Sequence, residues 1–134
     1  KYLEQVMRGK ISCDMPSRRY NKHSIMLVCE ANYSNAHGTP WVYSHMGIGK
    51  TVGMPVPGTM TTVNWEYCQD PTLYFGIPVV GYRTREGSYL ENSQLEPDFL
   101  VRNKAHEAIN GRDEQLEVAV KELLKQIDAD KNRW

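Results

Sequence analysis

Apolar and polar positions change their spacing from one segment of this chain to the next. Tyr2, Leu3, Val6 and Met7 have helical spacing and stop at Gly9, which predicts a helix over residues 2–8. No Ser, Thr, Asp or Asn precedes that helix as a cap, so the pattern predicts a chain that opens inside an element. Residues 11–23 are polar, contain Pro16 and read as a loop. Residues 1–22 are therefore read as the end of an upstream helix and a loop, and residues 23–134 as a single domain.

Ser24-Ile25-Met26-Leu27-Val28-Cys29-Glu30 has an unbroken apolar centre, as expected of a parallel strand buried on both faces. Ala31 to Asn35 is a turn, and a helix follows to about Met46, ended by Gly47. Pro40 fits the first position of that helix, with Thr39 as its cap. Ile48–Val52, Met60–Trp65 and Leu73–Tyr82 read as strands, with a Gly- and Pro-rich loop over 53–59 and a turn at Glu86-Gly87. Leu116, Ala119, Val120, Leu123, Leu124 and Ile127 form the stripe of a last helix, capped by Asp113, that covers a sheet. Strand, turn, helix, strand in that order is an α/β architecture. Sites in such folds lie at the carboxyl ends of strands, here the turn after Glu30.

At 134 residues the chain is sized for one domain. Its 16 basic and 16 acidic residues balance, which argues against a nucleic-acid partner. The balance is uneven locally: residues 1–22 carry +4, residues 23–110 carry −3 and the remainder −1. The basic leader is suited to an acidic surface, or is simply a solvated segment. A 40% hydrophobic content excludes wholesale disorder. No apolar run approaches the roughly 18–20 residues of a membrane span, and no signal-peptide pattern is present. Cys13, Cys29 and Cys68 lack the paired spacing of a zinc site and read as small hydrophobes; no metal or cofactor is implied.

Ser34 stands where a buried strand meets a helix. Such a junction turns a side chain outward and aims free backbone N–H groups at whatever binds there. Locally a serine here is as readily an N-cap. A wider pattern adds to this. Cys29-Glu30-Ala31-Asn32-Tyr33-Ser34-Asn35-Ala36-His37, then Pro40, then Gly47-Ile48-Gly49-Lys50-Thr51-Val52-Gly53-Met54-Pro55 resembles the nucleophile region of the tricorn-core and C-terminal-processing serine peptidases. Tyr89 to Asp98 resembles that family's Glu-Asn-x-x-x-Glu-Pro-Asp segment, and Gly111 to Leu116 its lead into a final helix. The match covers roughly residues 24–125.

The resemblance implies a crotonase/Clp-protease-like layered sheet with flanking helices, of which this chain is the C-terminal half. It implies a serine peptidase working through an acyl-enzyme on Ser34, with the Asn35 N–H as oxyanion donor. Asn35 stands where the family usually has Asp, a change that leaves a backbone role intact. In the processing branch a Lys about 25 residues after the Ser is the base; Gly58-Thr59 occupies that place, so this branch does not fit. In the tricorn-like branch a His activates the Ser and a Glu supports it through a second Ser. Glu91 matches that Glu. The His lies upstream of the nucleophile in that branch. His23 is the one upstream His, and a strand at about 3.3 Å per residue sets it roughly 20 Å from Ser34. The base is thus expected outside this chain, in the upstream half of the domain, and the chain alone is expected to be inactive. His37, three residues after Ser34, stands where the family usually has an acid. His45 and His106 read as surface residues.

Trp65 and Tyr67, in an aromatic cluster with Tyr74 and Phe75, line a substrate groove or pack as core. Glu96 and Asp98 read as structural. The expected partners are a peptide or protein substrate and the upstream half, with a homo-oligomer compatible. The family occurs in the cytosol and outside the bacterial inner membrane, the second being the favoured expectation. The alternative from another class is a non-catalytic peptide-binding or scaffold protein on the same fold.

Overall fold

The computed structural model describes the backbone of residues 3–7, 10–15, 20 and 22–131, and the side chains of residues 20 and 22–131. Its elements run β1 (Leu3–Met7), β2 (Lys10–Met15), β3 (Ile25–Val28), α1 (Asn35–His45), β4 (Lys50–Gly53), β5 (Thr61–Tyr67), β6 (Tyr74–Gly81), β7 (Phe99–Leu100), α2 (Ala105–Ile109) and α3 (Glu114–Lys131). The architecture is α/β, sheets with flanking helices, as the order of segments predicted.

β3, β4 and β7 form a parallel sheet in that order, with Val28 opposite Gly53 and Gly53 opposite Leu100. β4 is central, and Thr51 and Val52 are buried in it. Gly53 has a φ of +137°, and a Cβ there would collide with the Val28 carbonyl oxygen. Only glycine lets the two strands meet at this height. Asp98 fastens β4 to the segment entering β7: Oδ1 pairs with Lys50 Nζ at 2.6 Å, and Oδ2 accepts the Thr51 N–H at 2.8 Å and the Thr51 hydroxyl at 3.1 Å. Asp98 is structural, as its sequence context suggested.

α3 begins as predicted. Asp113 Oδ1 accepts the Leu116 N–H at 2.9 Å. The helix packs on β3 and β4. Ala119 is buried and Leu123 and Ile127 are half-buried there, while Leu116, Val120 and Leu124 remain exposed. The stripe therefore covers the sheet along one side only.

Three expectations are corrected. Residues 3–7 are not a helix, and the loop read over 11–23 begins with a strand: β1 and β2 pair as an antiparallel hairpin, Leu3 opposite Met15 and Met7 opposite Lys10. Leu27 is exposed, because β3 is the edge of a three-stranded sheet and is not covered on both faces. α1 starts at Asn35, so Ser34 and not Thr39 is at its N-cap and Pro40 lies inside it. The side chains of the basic leader lie outside the described residues except at Tyr20 and Lys22. Cys29 and Cys68 are free thiols, and Cys13's side chain is outside the described set. Among the described residues no helix is long and apolar enough to cross a membrane.

Candidate active site

The chain leaves the sheet at Val28 and folds back before α1. Asn32 organises this turn. Its Oδ1 accepts the Cys29 N–H at 3.2 Å, its own N–H donates to the Cys29 carbonyl at 3.1 Å, and its Nδ2 donates to the Ala36 carbonyl at 2.8 Å. The Ala36 carbonyl would otherwise receive the helical N–H of residue 40, which proline lacks. Asn32 thereby lets Pro40 sit inside the helix.

Ser34 holds the N-cap position at φ 55° and ψ −115°, and its side chain makes no capping hydrogen bond. A non-glycine residue held there stores on the order of 1–3 kcal/mol of backbone strain. Its carbonyl accepts the N–H groups of His37 and Gly38 at 2.8 and 3.1 Å, and its N–H donates to Thr59 Oγ1 at 3.3 Å. The backbone is thus fixed on both sides while the hydroxyl stays uncommitted to the helix. The Asn35 N–H has no acceptor among the described residues. It is the first amide of an 11-residue helix, where the helix dipole is positive.

Glu91, which follows the β5–β6 hairpin in the chain, meets the start of β5 beside Thr59, the residue that the Ser34 N–H bonds. Asn92 at φ 60° donates its N–H to the Gly58 carbonyl at 2.7 Å, and Val56 and Leu95 exchange backbone bonds at 2.9 and 3.0 Å. Those contacts set Glu91 against the start of β5. There Oε2 accepts the Met60 N–H at 2.6 Å and the Thr61 hydroxyl at 2.7 Å. Oε1 takes no hydrogen bond among the described residues. The Thr61 and Met60 donors hold the Glu91 carboxyl below its ordinary value against a smaller opposing effect of burial, so it is charged at neutral pH.

Thr59, 25 residues after Ser34, stands beside it in space. The place where the processing branch carries its lysine is thus filled by a hydroxyl that serves as an acceptor. His37 is fully buried one turn into α1, and neither ring nitrogen has a hydrogen-bond partner, Ser34 included. Burial holds its ring below the ordinary histidine value, opposed by the Thr59 backbone and the Glu91 charge. His23 pairs with Asp130 at 2.7 Å, His45 stacks on Trp41 with ring centroids 3.7 Å apart, and His106 is exposed beside Glu107. None of the four bonds to Ser34.

Trp65 and Tyr67 stand on β5, exposed, each in ring contact with Tyr74 at 5.4 and 5.7 Å between centroids. No hydrogen bond or ring contact joins them to Ser34 or Glu91. The residues the sequence reading passed over are Met60 and Thr61, the two donors to Glu91, and the burial of His37. Spacing could have found Thr59; nothing local marks Thr61.

Two solved structures are similar to this chain in fold. The tricorn protease superposes with a TM-score of 0.74 at 19% identity, covering 93% of this chain and 12% of that one. Mature CPAF superposes with a TM-score of 0.56 at 22% identity, covering 63% of this chain and 16% of that one. The chain thus spans a small part of the length of either. No curated protein matches it in sequence. Residues 3–101 match the sequence profile of peptidase family S41, and the chain belongs to that family.

Proposed function

We propose that this chain carries the nucleophile half of a serine peptidase site. Ser34 Oγ attacks the carbonyl carbon of a peptide bond and passes its proton to a histidine that lies outside this chain. The oxyanion that forms accepts the Asn35 N–H, a donor worth on the order of 10²–10³ in rate in comparable sites. When the tetrahedral species collapses, the C–N bond breaks, the histidine returns its proton to the leaving amine, and Ser34 holds the acyl group. Water, deprotonated by the same histidine, then releases the acid and restores Ser34. Glu91, charged and anchored through Oε2, presents Oε1 toward the serine–histidine pair and favours the imidazolium that each transfer creates. Trp65 and Tyr67 are the aromatic surface proposed for the substrate.

The observation that carries this reading is the Ser34 turn: a strained backbone, an uncommitted hydroxyl and an adjacent amide without an acceptor. A merely capping serine would spend its hydroxyl on the helix.

The test is a fluorophosphonate probe applied to this chain and to the longer polypeptide that contains it, with the label mapped by peptide mass spectrometry. Label on Ser34 in the longer polypeptide alone is the expected result. Removing one member of such a constellation lowers turnover by several orders of magnitude, so the isolated chain stays dark. Label on Ser34 in the isolated chain refutes the external base. Absence of label from both favours the non-catalytic peptide-binding reading.

A further inference from the structure

A cavity of about 560 Å³ opens beside Asn35, the residue after Ser34. Val42, Ile48, Met60 and Leu90 give it apolar walls, and Met60 and Leu90 are buried. Two of these walls are continuous with the candidate site: Met60 gives its N–H to Glu91, and Leu90 precedes Glu91 in the chain. Gly38 makes room for the Met60 side chain, since a Cβ there would meet Met60 Cε at 2.7 Å.

Of the residues lining this cavity, Arg83 alone is charged. A short hairpin beyond β6 sets it there. Arg83 bridges Tyr89, the Thr84 N–H donates to the Ser88 carbonyl at 2.8 Å, and the Leu90 N–H donates to the Tyr82 carbonyl at 3.0 Å. The Arg83 guanidinium has no hydrogen-bond or ion-pair partner among the described residues, whereas Arg102 pairs with Glu30 and Arg112 with Glu107 and Glu117. With Trp41 and Val42 it also lines a second cleft, so it stands, exposed, where the two meet. Apolar walls beside one unspent guanidinium suit an aliphatic stem that ends in a carboxylate, which arginine can hold through two parallel N–H donors.

We propose that this cavity takes the side chain of the residue whose carbonyl Ser34 attacks, and that Arg83 makes it selective for glutamate. The placing of that carbonyl rests on the function proposed above: an oxygen held by the Asn35 N–H leaves the adjoining side chain at the cavity's edge. Glutamate then lays its methylenes on the apolar walls and its carboxylate on the guanidinium. Glutamine fills the same space without the charge, leucine leaves Arg83 to solvent, and lysine brings a second cation against it. A fully exposed ion pair contributes little. A bound substrate, however, shields this one from water on the cavity side, and a charge-assisted bond so placed favours glutamate over glutamine by about tenfold.

The test uses acetylated dialanyl peptides that carry Glu, Gln, Leu or Lys before a coumarin amide, and the longer polypeptide that contains this chain. Binding is measured by calorimetry on its Ser34→Ala form, and turnover on the parent. The Glu peptide is expected to bind about tenfold more tightly than the Gln peptide. Arg83→Gln loses that difference, and Arg83→Glu turns the preference toward the Lys peptide. In the parent, kcat/KM follows the same order. Equal binding of the Glu and Gln peptides, or a preference that survives Arg83→Gln, overturns the proposal. Glu-selective binding by a polypeptide that turns over none of the four supports the glutamate subsite and refutes the peptidase reading. Turnover of all four at one rate supports the peptidase reading and overturns the subsite.

Discussion

Ser34 and Thr59, 25 residues apart, are joined by a hydrogen bond of 3.3 Å from the Ser34 N–H to Thr59 Oγ1. The next residue along, Met60, gives its own N–H to Glu91 at 2.6 Å. One short stretch thus holds the serine turn on one side and the carboxylate on the other. The register between nucleophile and support is set by two consecutive residues, so little slack separates them.

Thr59→Val keeps the volume at this position and removes the acceptor. The Ser34 N–H is then left in a half-buried place without a partner, which costs about 1 kcal/mol. Urea unfolding of the chain should show a lower midpoint with the slope unchanged. An unaltered midpoint means that the bond does not hold the turn.

The strain at Ser34 predicts an ordering of two variants. Ser34→Gly and Ser34→Ala both remove the hydroxyl and should both escape the fluorophosphonate label. Glycine adopts φ 55°, ψ −115° without strain, whereas alanine does not. The glycine variant should therefore be the more stable by on the order of 1 kcal/mol, even after the extra entropy of its unfolded chain. Thermal melts of the pair check this, and an alanine variant equal to or above the glycine variant removes the strain argument.

The sequence was legible where a single local signal has one structural answer. The apolar run at Ile25–Val28 and the Asp113 cap of α3 each became the element their pattern predicts. It failed where two periods fit one stretch. Leu3, Val6 and Met7 suit a helix, but Ile11, Cys13 and Met15 alternate with Lys10, Ser12 and Asp14, and it is the hairpin pairing that decides between them. Thr39-Pro40 looked like a helix start because proline is at home there; the carbonyl that Pro40 frees is taken by Asn32, a side chain eight residues earlier. At the candidate site, Ser34 and Glu91 were proposed from motif spacing. The bonds from Met60 and Thr61 and the burial of His37 were not, because each depends on which loops the fold brings together.

The Asn32–Pro40 arrangement predicts non-additivity. Asn32→Ala leaves the Ala36 carbonyl without its donor and loosens the turn at Cys29, at a cost of about 1–2 kcal/mol. Pro40→Ala restores a backbone N–H that can reach the Ala36 carbonyl. Asn32→Ala should therefore cost less in the Pro40→Ala background, with a coupling of at least about 0.5 kcal/mol in a double-mutant cycle. Strict additivity means that Asn32 acts through the Cys29 contacts alone.

Asp98 gives the pH dependence of the sheet. Burial is the largest single influence on its carboxyl and acts upward, but the Lys50 bond and the two Thr51 donors together outweigh it and leave the value lowered. A lowered folded-state value means that the unfolded chain binds the proton more tightly. The stabilisation is thus complete above the unfolded aspartate value, about 3.9, and is lost as the pH falls through the lower folded value. Asp98→Asn cannot pair with Lys50 and keeps at best part of the Thr51 bonding, so at neutral pH it should unfold about 1–3 kcal/mol more easily. Lys50 is itself largely exposed, and Lys50→Met should cost less than about 1 kcal/mol, which assigns most of the loss to the Thr51 donors. Urea titrations of parent and Asp98→Asn over an acid series should converge as Asp98 takes up its proton. A gap that stays constant into strong acid would show that the carboxylate charge does not carry the difference, and a gap near zero at neutral pH would show that the side chain acts only by filling its place between β4 and β7.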